Sequence, residues 1–211
     1  MKHNFCPTVT VLMGSHYLRF TCFFLSVSLF TIVVNGEDSG TLTNWIADDK
    51  TLASLAKPFS DARISFRPLP KYEGFQTKFD PELAKAGVAQ YCWTPGGQRP
   101  SLENITVMLT PFAKPSTDAL DKTISGMRSS IQKNHPDCEF GEIRKGLFCG
   151  FEARAGSYTA TISGDKVVAF FLVSIDTKGT FMASAMTPES KVTPEAEKLM
   201  KTSLLTFMRK D

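Results

Sequence analysis

The sequence lacks the parts from which most catalytic sites are built. Of its 3 histidines only His135 lies after residue 36, and no Gly-x-Ser-x-Gly elbow is present. A serine or cysteine nucleophile needs a base within hydrogen-bond reach, which is usually histidine. His135 precedes Pro136 at the end of a predicted helix, where a helix-cap role is the more frequent one. The sequence therefore disfavours an enzyme, and a hydrolase without a histidine base stays as a weak alternative.

Motifs for metals, nucleotides and nucleic acid are absent as well. There is no Cys-x-x-Cys pair, and one histidine with scattered acidic residues does not match a transition-metal site. Neither a phosphate-binding P-loop nor a dinucleotide glycine motif occurs. No basic run and no aromatic RNA-binding pattern occurs either. We therefore predict no cofactor, no metal and no nucleic-acid partner.

The amino terminus, in contrast, has the features of a targeting segment. Residues 20–34 are apolar or small and uncharged; Lys2 and Arg19 precede them, and Val34-Asn35-Gly36 ends the stretch. This pattern is typical of a secretory signal cleaved after Gly36, and the run is shorter than the about 20 residues of a membrane-spanning helix. An uncleaved signal anchor is the alternative, and membrane contact is expected only in that case. Met13 offers a second start.

The mature chain is predicted to be secreted or periplasmic and nearly neutral. Residues 1–36 hold two of the 24 basic residues and none of the 21 acidic ones. The mature part keeps Cys92, Cys138 and Cys149, for which one disulfide and one free thiol is the simplest arrangement in an oxidising compartment. A hairpin about residues 144–146 would set Cys138 and Cys149 about 10 Å out of register, beyond the reach of a disulfide unless Asp137-Cys138 curls back. Which two of the three cysteines pair is therefore left open.

The remainder of the chain predicts many strands and two helices. Predicted strands cover residues 63–67, 75–79, 87–93, 104–110, 140–143, 147–154, 157–163, 167–175 and 180–187. Helices are predicted at 115–134, with Ser116 as N-cap, and after Thr193, with Pro194 in the first turn. The strand 75–79 is expected to return antiparallel to 63–67. Residues 167–173 are apolar on both faces, so this strand needs cover on each side of its sheet.

Short turns between these strands favour antiparallel neighbours. Two helices with one apolar face each fit on opposite sides of such a sheet. We therefore predict an α+β fold, an antiparallel meander packed between helices in an α/β/α sandwich. Residues 1–36 form the signal peptide, 37–59 a flexible arm anchored by Trp45, and 60–211 a single domain.

Four features of the chain follow one another in a familiar order. They are Ile64-Ser65-Phe66-Arg67-Pro68, the helix 116–134, Leu147-Phe148-Cys149-Gly150, and the last helix ending in Leu204-Leu205-Thr206-Phe207. This order resembles the PsbP-like and DcrB-like superfamily of secreted or lumenal domains, over about residues 60–208. The resemblance implies an antiparallel sheet between helices and a binding or accessory role. A shared fold does not by itself transfer a function.

The loop from Trp93 to Ser101 is the predicted recognition element. It combines an aromatic ring at Trp93, polar groups at Gln98 and Arg99, and glycines at a strand end. The alternative is a plain connection whose Trp93 packs on the sheet. We predict a secreted, non-enzymatic binding or accessory domain acting on a protein or envelope partner. A small-molecule or lipid carrier, with a pocket between sheet and helix, is the alternative function.

Overall fold

The computed structural model describes Leu42, Trp45 and residues 47–78, 81–111, 116–177 and 179–210. The predicted signal peptide lies outside the described residues. Helices are α1 (Asp49–Ser54), α2 (Pro81–Lys85), α3 (Thr117–Asn134) and α4 (Pro194–Leu205). Strands are β1 (Phe59–Ser60), β2 (Ile64–Phe66), β3 (Tyr72–Gln76), β4 (Ala89–Pro95), β5 (Asn104–Pro111), β6 (Glu139–Phe140), β7 (Arg144–Phe148), β8 (Phe151–Ile162), β9 (Asp165–Asp176), β10 (Gly179–Pro188) and β11 (Met208–Arg209).

Most strands belong to one antiparallel sheet of eight, ordered β3-β4-β5-β10-β9-β8-β6, with β7 also paired to β8. Strand β9 pairs with β8 on one side and with β10 on the other. The turn between β8 and β9 holds Ser163 and Gly164 at φ values of 54° and 91°. Two successive positive φ values are typical of the tight turns that follow the twist of paired strands. The antiparallel sheet, together with the helices, confirms the predicted α+β fold.

The central strand β9 is covered on both faces, as its two-sided apolar sequence predicts. Val167, Phe171 and Val173 lie in a core beneath α3, whereas Phe170 and Leu172 lie in a second core on the α4 side. Helix α3 contributes Leu120, Ile124, Met127 and Ile131 to its core, and the α4 end of the chain contributes Met200, Leu204 and Phe207. Each such side chain stabilises the fold by about 1.5–3 kcal/mol. The α/β/α sandwich is confirmed.

Local sequence signals set where the two long helices begin. The side-chain oxygens of Ser116 and Thr193 each accept the backbone N–H three residues on, at 3.1 Å. These bonds satisfy N–H groups that have no partner within the helix. Helix α3 ends at Asn134, and the backbone N–H of the next residue, His135, donates to the carbonyl of Ile131 at 2.8 Å. His135 therefore caps a helix.

A second sheet of three strands, ordered β1-β2-β11, lies in the α4-side core. The prediction that residues 75–79 pair with the strand at Ile64–Phe66 is wrong, because β2 pairs with β1 and β11 while β3 pairs with β4. Pro68 and Pro70 have no N–H to continue a ladder, and Lys71 at φ 66° redirects the chain. The chain thereby crosses to the edge of the main sheet.

The hairpin between β7 and β8 does not turn about residues 144–146, as the sequence suggested. It turns at Cys149 and Gly150, with φ values of 51° and 83°, and sets Phe148 opposite Phe151. Cys149 is therefore exposed at a hairpin tip and is not a core residue. Gly146 lies inside β7, where an added Cβ would come within 2.5 Å of Leu42. Its glycine thus permits a close approach and does not mark the turn.

The described part of the arm 37–59 packs on the domain. Trp45 and Leu55 are each 6 % exposed and belong to the α4-side core. Asp48 caps α1 and forms a salt bridge with Lys198 of α4. Buried apolar side chains and an ion pair hold these residues of the predicted flexible arm against the domain. Trp45 is the anchor that the sequence predicts.

Candidate functional site

The structure separates the residues of the predicted recognition loop. Trp93 lies in β4, is 1 % exposed, and has its ring centroid 4.6 Å from that of Phe66 and 5.4 Å from that of Phe59. Alternation along β4 places Ala89 and Tyr91 on the same buried face. Trp93 is therefore a core residue, which is the alternative that the sequence left open. It offers no surface to a partner.

Gln98 and Arg99 lie at the surface beyond the end of β4. The guanidinium of Arg99 stacks over the ring of Phe75 in β3. Trp93 faces the core from within the strand, whereas these two side chains lie in the exposed loop that follows it. The three predicted binding residues thus do not form one surface.

Of the three cysteines after residue 36, Cys92 and Cys138 are buried and Cys149 is exposed, and no two of them are joined by a disulfide. Cys92 lies in β4, and four strands separate β4 from β6, which follows Cys138; this spacing corresponds to about 24 Å. Along β8, Phe151 beside the hairpin tip at Cys149 lies eight residues from Thr159, where β6 pairs; this corresponds to about 26 Å. A disulfide needs Cα atoms within about 7 Å, so this structure does not bring Cys138 within reach of Cys92 or Cys149.

A cleft of about 430 Å³ lies between α3 and the β7–β8 edge of the main sheet. Helix α3 forms one wall, with Ser125, Ser129 and Gln132 among its polar residues. Strand β7 and the residue before it form the other wall, through Lys145 and Ile143, and Arg154 of β8 also lines the cleft. Sequence reasoning did not predict this site.

Helical periodicity explains the polar wall. Residues three or four apart share a face of a helix, and Asp121, Ser125, Arg128 and Gln132 follow this spacing along α3. The neighbouring stripe, which includes Leu120 and the other apolar residues of α3, packs on the sheet. Helix α3 therefore directs one stripe into the core and the adjacent stripe into the cleft.

Arg154 is the most buried charged group of the cleft, at 3 % exposure. Its Nε donates to Oδ1 of Asp121 at 2.9 Å, its Nη2 lies 2.8 Å from the same oxygen in an ion pair, and its Nη1 donates to the carbonyl of Ala153 at 3.1 Å. A buried guanidinium requires such a countercharge, because desolvation of an unpaired ion is costly. The side chain of Asp121 is 53 % exposed. The pair thus joins a buried cation to a carboxylate at the cleft surface.

The charges around the cleft are unbalanced. Lys145 stands directly opposite Arg154 in the antiparallel register, and like charges in that position repel each other. Arg128 lies across from them on α3, with its guanidinium carbon 5.0 Å from the ring centroid of Phe140. Three cations and the one carboxylate of Asp121 line the cleft, a formal surplus of two positive charges. A concave site with this surplus attracts anions.

The lining residues can bind and orient an anionic group, but they supply no evident general base. The one carboxylate, Asp121, is already paired with Arg154 through a hydrogen bond and an ion pair. No group of three or more His, Cys, Asp or Glu residues in the described part of the chain could hold a metal ion. None of the helices built from the described residues has the length and apolar character needed to cross a bilayer.

One part of this site could be found from the sequence. The polar stripe of α3 repeats at three- and four-residue intervals from Asp121 to Gln132. The pairing of Lys145 with Arg154 could not be found, because the sequence placed residues 144–146 in a turn. A turn at residues 144–146 would leave Lys145 outside any strand, so the sequence does not show that Lys145 and Arg154 share the face beneath α3.

No protein-family model matches this chain, and no curated protein matches it. The chain is similar to the solution structure of cyanobacterial PsbP (CyanoP) from Synechocystis sp. PCC 6803, with a TM-score of 0.53 and 13% identity, over 74% of this chain and 93% of that one. A crystal structure from Bacteroides thetaiotaomicron VPI-5482 matches with a TM-score of 0.43 and 11% identity. That match covers 74% of this chain but 49% of the other, so this chain spans about half of its length.

The similarity to cyanobacterial PsbP confirms the resemblance in fold predicted from the order of elements. The matched share of PsbP, 93%, means that nearly the whole of that domain has a counterpart here. At 13% identity the comparison concerns the fold alone. The cleft is therefore assessed from the residues of this chain.

Proposed function

We propose that this chain is a secreted, non-enzymatic binding or accessory domain whose binding site is the cleft between α3 and β7. The observation that carries the proposal is the charge surplus of the cleft, where Lys145 and Arg128 accompany the buried Arg154. Charge-assisted hydrogen bonds from such cations are among the strongest polar contacts of proteins. An accessory role is also compatible with a PsbP-like fold.

The partner class follows from the compartment and from the charge. The amino-terminal segment of residues 1–36 has the pattern of a secretory signal, which supports a location outside the cytoplasm. We expect the partner to be a protein or an envelope component that presents an anionic group to the cleft. Binding is then expected to weaken with salt, because ions screen exposed charges over about 8–10 Å.

The cleft does not favour the alternative of a lipid carrier. Carrier pockets are enclosed and mostly apolar. Of the nine residues that line the cleft, only Ile124 and Ile143 are apolar. Its polar lining suits the recognition of a charged group better than the transport of an apolar chain.

Affinity capture with two matched charge reversals tests this proposal. Immobilised wild-type protein, Arg128→Glu and Lys57→Glu are each exposed to the extracytoplasmic fraction of the source organism. Lys57 is exposed, and its neighbours Leu55 and Phe59 pack in the α4-side core, so it controls for net charge away from the cleft. We expect the wild type and Lys57→Glu to retain the same partner and Arg128→Glu to retain about tenfold less.

Two results would contradict the proposal. Undiminished capture by Arg128→Glu would place the binding site elsewhere on the molecule. If the wild type retains no partner at low salt, the chain is not a binding domain for a component of that fraction.

A further inference from the structure

The chemistry of the cleft also indicates which anionic group it binds. We infer that the cleft binds a dianionic oxyanion attached to a compact uncharged organic body, such as a phosphate monoester. This inference rests on the proposed binding function of the same cleft. It is carried by the charges, the unused donors and the volume of the site.

The charge surplus matches two negative charges. Lys145 and Arg154 are directly opposed across the β7–β8 pair, and side chains in that position start about 4.5–5.5 Å apart at Cβ. One tetrahedral oxyanion can therefore contact both cations and relieve their repulsion. Asp121 neutralises one of the three cations of the cleft, and a dianion neutralises the remaining two.

The guanidinium of Arg154 keeps donors in reserve. Arginine has five N–H groups. Within the described part of the chain, hydrogen bonds to Asp121 and to the carbonyl of Ala153 occupy two of them, and Nη2 lies 2.8 Å from Oδ1 of Asp121 in the ion pair. The remaining N–H groups can still take an acceptor from the cleft, which Arg154 lines. An oxyanion in the cleft supplies that acceptor, and the hydroxyls of Ser125 and Ser129 line the same space.

The size of the cleft calls for more than the oxyanion itself. About 430 Å³ lies within the usual range of sites for small organic molecules. The half-buried Ile143 before β7, beside the edge of the buried Ile124 on α3, offers apolar surface to an uncharged body. Covering that surface contributes to binding in proportion to the apolar area removed from water.

Calorimetry with phenyl phosphate tests the inference directly. At pH 8 the probe carries two charges, because the second pKa of a phosphate ester is about 6. Three other compounds serve as comparisons. Inorganic phosphate lacks the organic body, benzenesulfonate carries a single negative charge, and benzyl alcohol carries no charge. We expect phenyl phosphate to bind more tightly than inorganic phosphate or benzenesulfonate, and benzyl alcohol not to bind measurably.

Two neutralising variants locate the site. Lys145→Gln removes one exposed cation of the cleft and is expected to weaken phenyl phosphate binding about tenfold. Lys57→Gln removes an exposed cation on the other side of the sheet and is expected to leave the affinity unchanged. Both side chains are exposed, so neither change is expected to unfold the protein.

Each of these measurements can overturn the inference. No binding of phenyl phosphate by the wild type, or equal binding by Lys145→Gln, would exclude the site. Equal affinity for benzenesulfonate would exclude the preference for a dianion, and equal affinity for inorganic phosphate would exclude the organic body. A captured partner that phenyl phosphate does not displace would leave the proposed function standing and overturn this inference alone.

Discussion

At the scale of single residues, the unequal burial of Arg154 and Asp121 predicts unequal mutational effects. Asp121→Asn leaves a buried guanidinium without its countercharge and is expected to lower the free energy of unfolding by about 2 kcal/mol. This is less than for a fully buried pair, because the carboxylate is 53 % exposed. Arg154→Met leaves Asp121 in contact with water and is expected to cost less than about 1 kcal/mol. Urea unfolding measures both, and equal losses would contradict the assigned burial.

The three cysteines predict a simple labelling pattern. Brief alkylation of the native protein without reductant is expected to modify Cys149 and to leave Cys92 and Cys138 unmodified until the protein unfolds. Desolvation raises the pKa of both the Cys138 and the Cys149 thiol, that of Cys149 to about 11, so solvent access and not the fraction of thiolate selects the labelled site. Peptide mass mapping identifies the labelled sites. A peptide that joins Cys92 to Cys138 through a disulfide would contradict the separation of their strands.

Trp93 shows what a sequence reveals about one residue. Alternation along the predicted strand 87–93 puts Trp93 on one face with Ala89 and Tyr91, where the structure has them. It did not reveal that the α4-side core covers this face, because Phe59 and Phe66 reach it from a separate sheet. Long-range packing of that kind leaves no local pattern.

At the scale of elements, two glycines predict opposite effects of the same substitution. A Cβ on Gly74 in β3 would lie 2.1 Å from Nε1 of the buried Trp93, whereas one on Gly126 in α3 meets no atom within 4 Å. Gly74→Ala is therefore expected to destabilise by about 1–3 kcal/mol through overpacking. Gly126→Ala is expected to stabilise by about 0.5–1 kcal/mol, because alanine favours the helix. Thermal unfolding that shifts in the same direction for both would contradict this packing.

The ion pair between Asp48, the cap of α1, and Lys198 of α4 predicts that the free energy of unfolding depends on pH. The hydrogen bond from Lys198, together with bonds from Thr51, lowers the pKa of Asp48. Because the folded pKa lies below the unfolded value of about 3.9, the stabilisation is complete above that value and is lost as the pH falls. Asp48→Asn keeps a capping oxygen but removes the charge. As the pH is lowered from about 5 to about 2, the Asp48→Asn variant is therefore expected to lose less stability than the wild type.

Urea unfolding at several pH values measures this difference. Lys198→Gln serves as the matched variant, because it removes the partner and leaves the Asp48 cap in place. Identical pH profiles for the wild type and both variants would contradict the ion pair.

Prediction succeeded for elements whose signals are local. Caps at Ser116 and Thr193 and the two-sided apolar run of β9 were sufficient to place α3, α4 and the centre of the sheet. The β7–β8 hairpin was misplaced, because Gly146 and Gly150 both offer a turn and only register distinguishes them. The sheet of β1, β2 and β11 was missed, because it joins residues from opposite ends of the domain.

At the scale of the whole molecule, the cleft arises from how its layers meet. Helix α3 covers one part of the main sheet, and its polar stripe faces the β7–β8 edge. The stripe is visible in the sequence, whereas the position of Arg154 beneath it depends on strand register. The layers of the fold and one wall of the cleft could thus be predicted, but the cluster of cations in the cleft could not.

The central claim is that this cleft, and not the loop after Trp93, binds the partner. Lys145→Glu and Arg99→Glu are matched charge reversals at exposed positions, one in the cleft and one in the loop. The direct test is to compare how strongly the two immobilised variants and the wild type retain the captured partner. The cleft predicts about tenfold weaker retention by Lys145→Glu and unchanged retention by Arg99→Glu. Loss of the partner by Arg99→Glu, with full retention by Lys145→Glu, would contradict it.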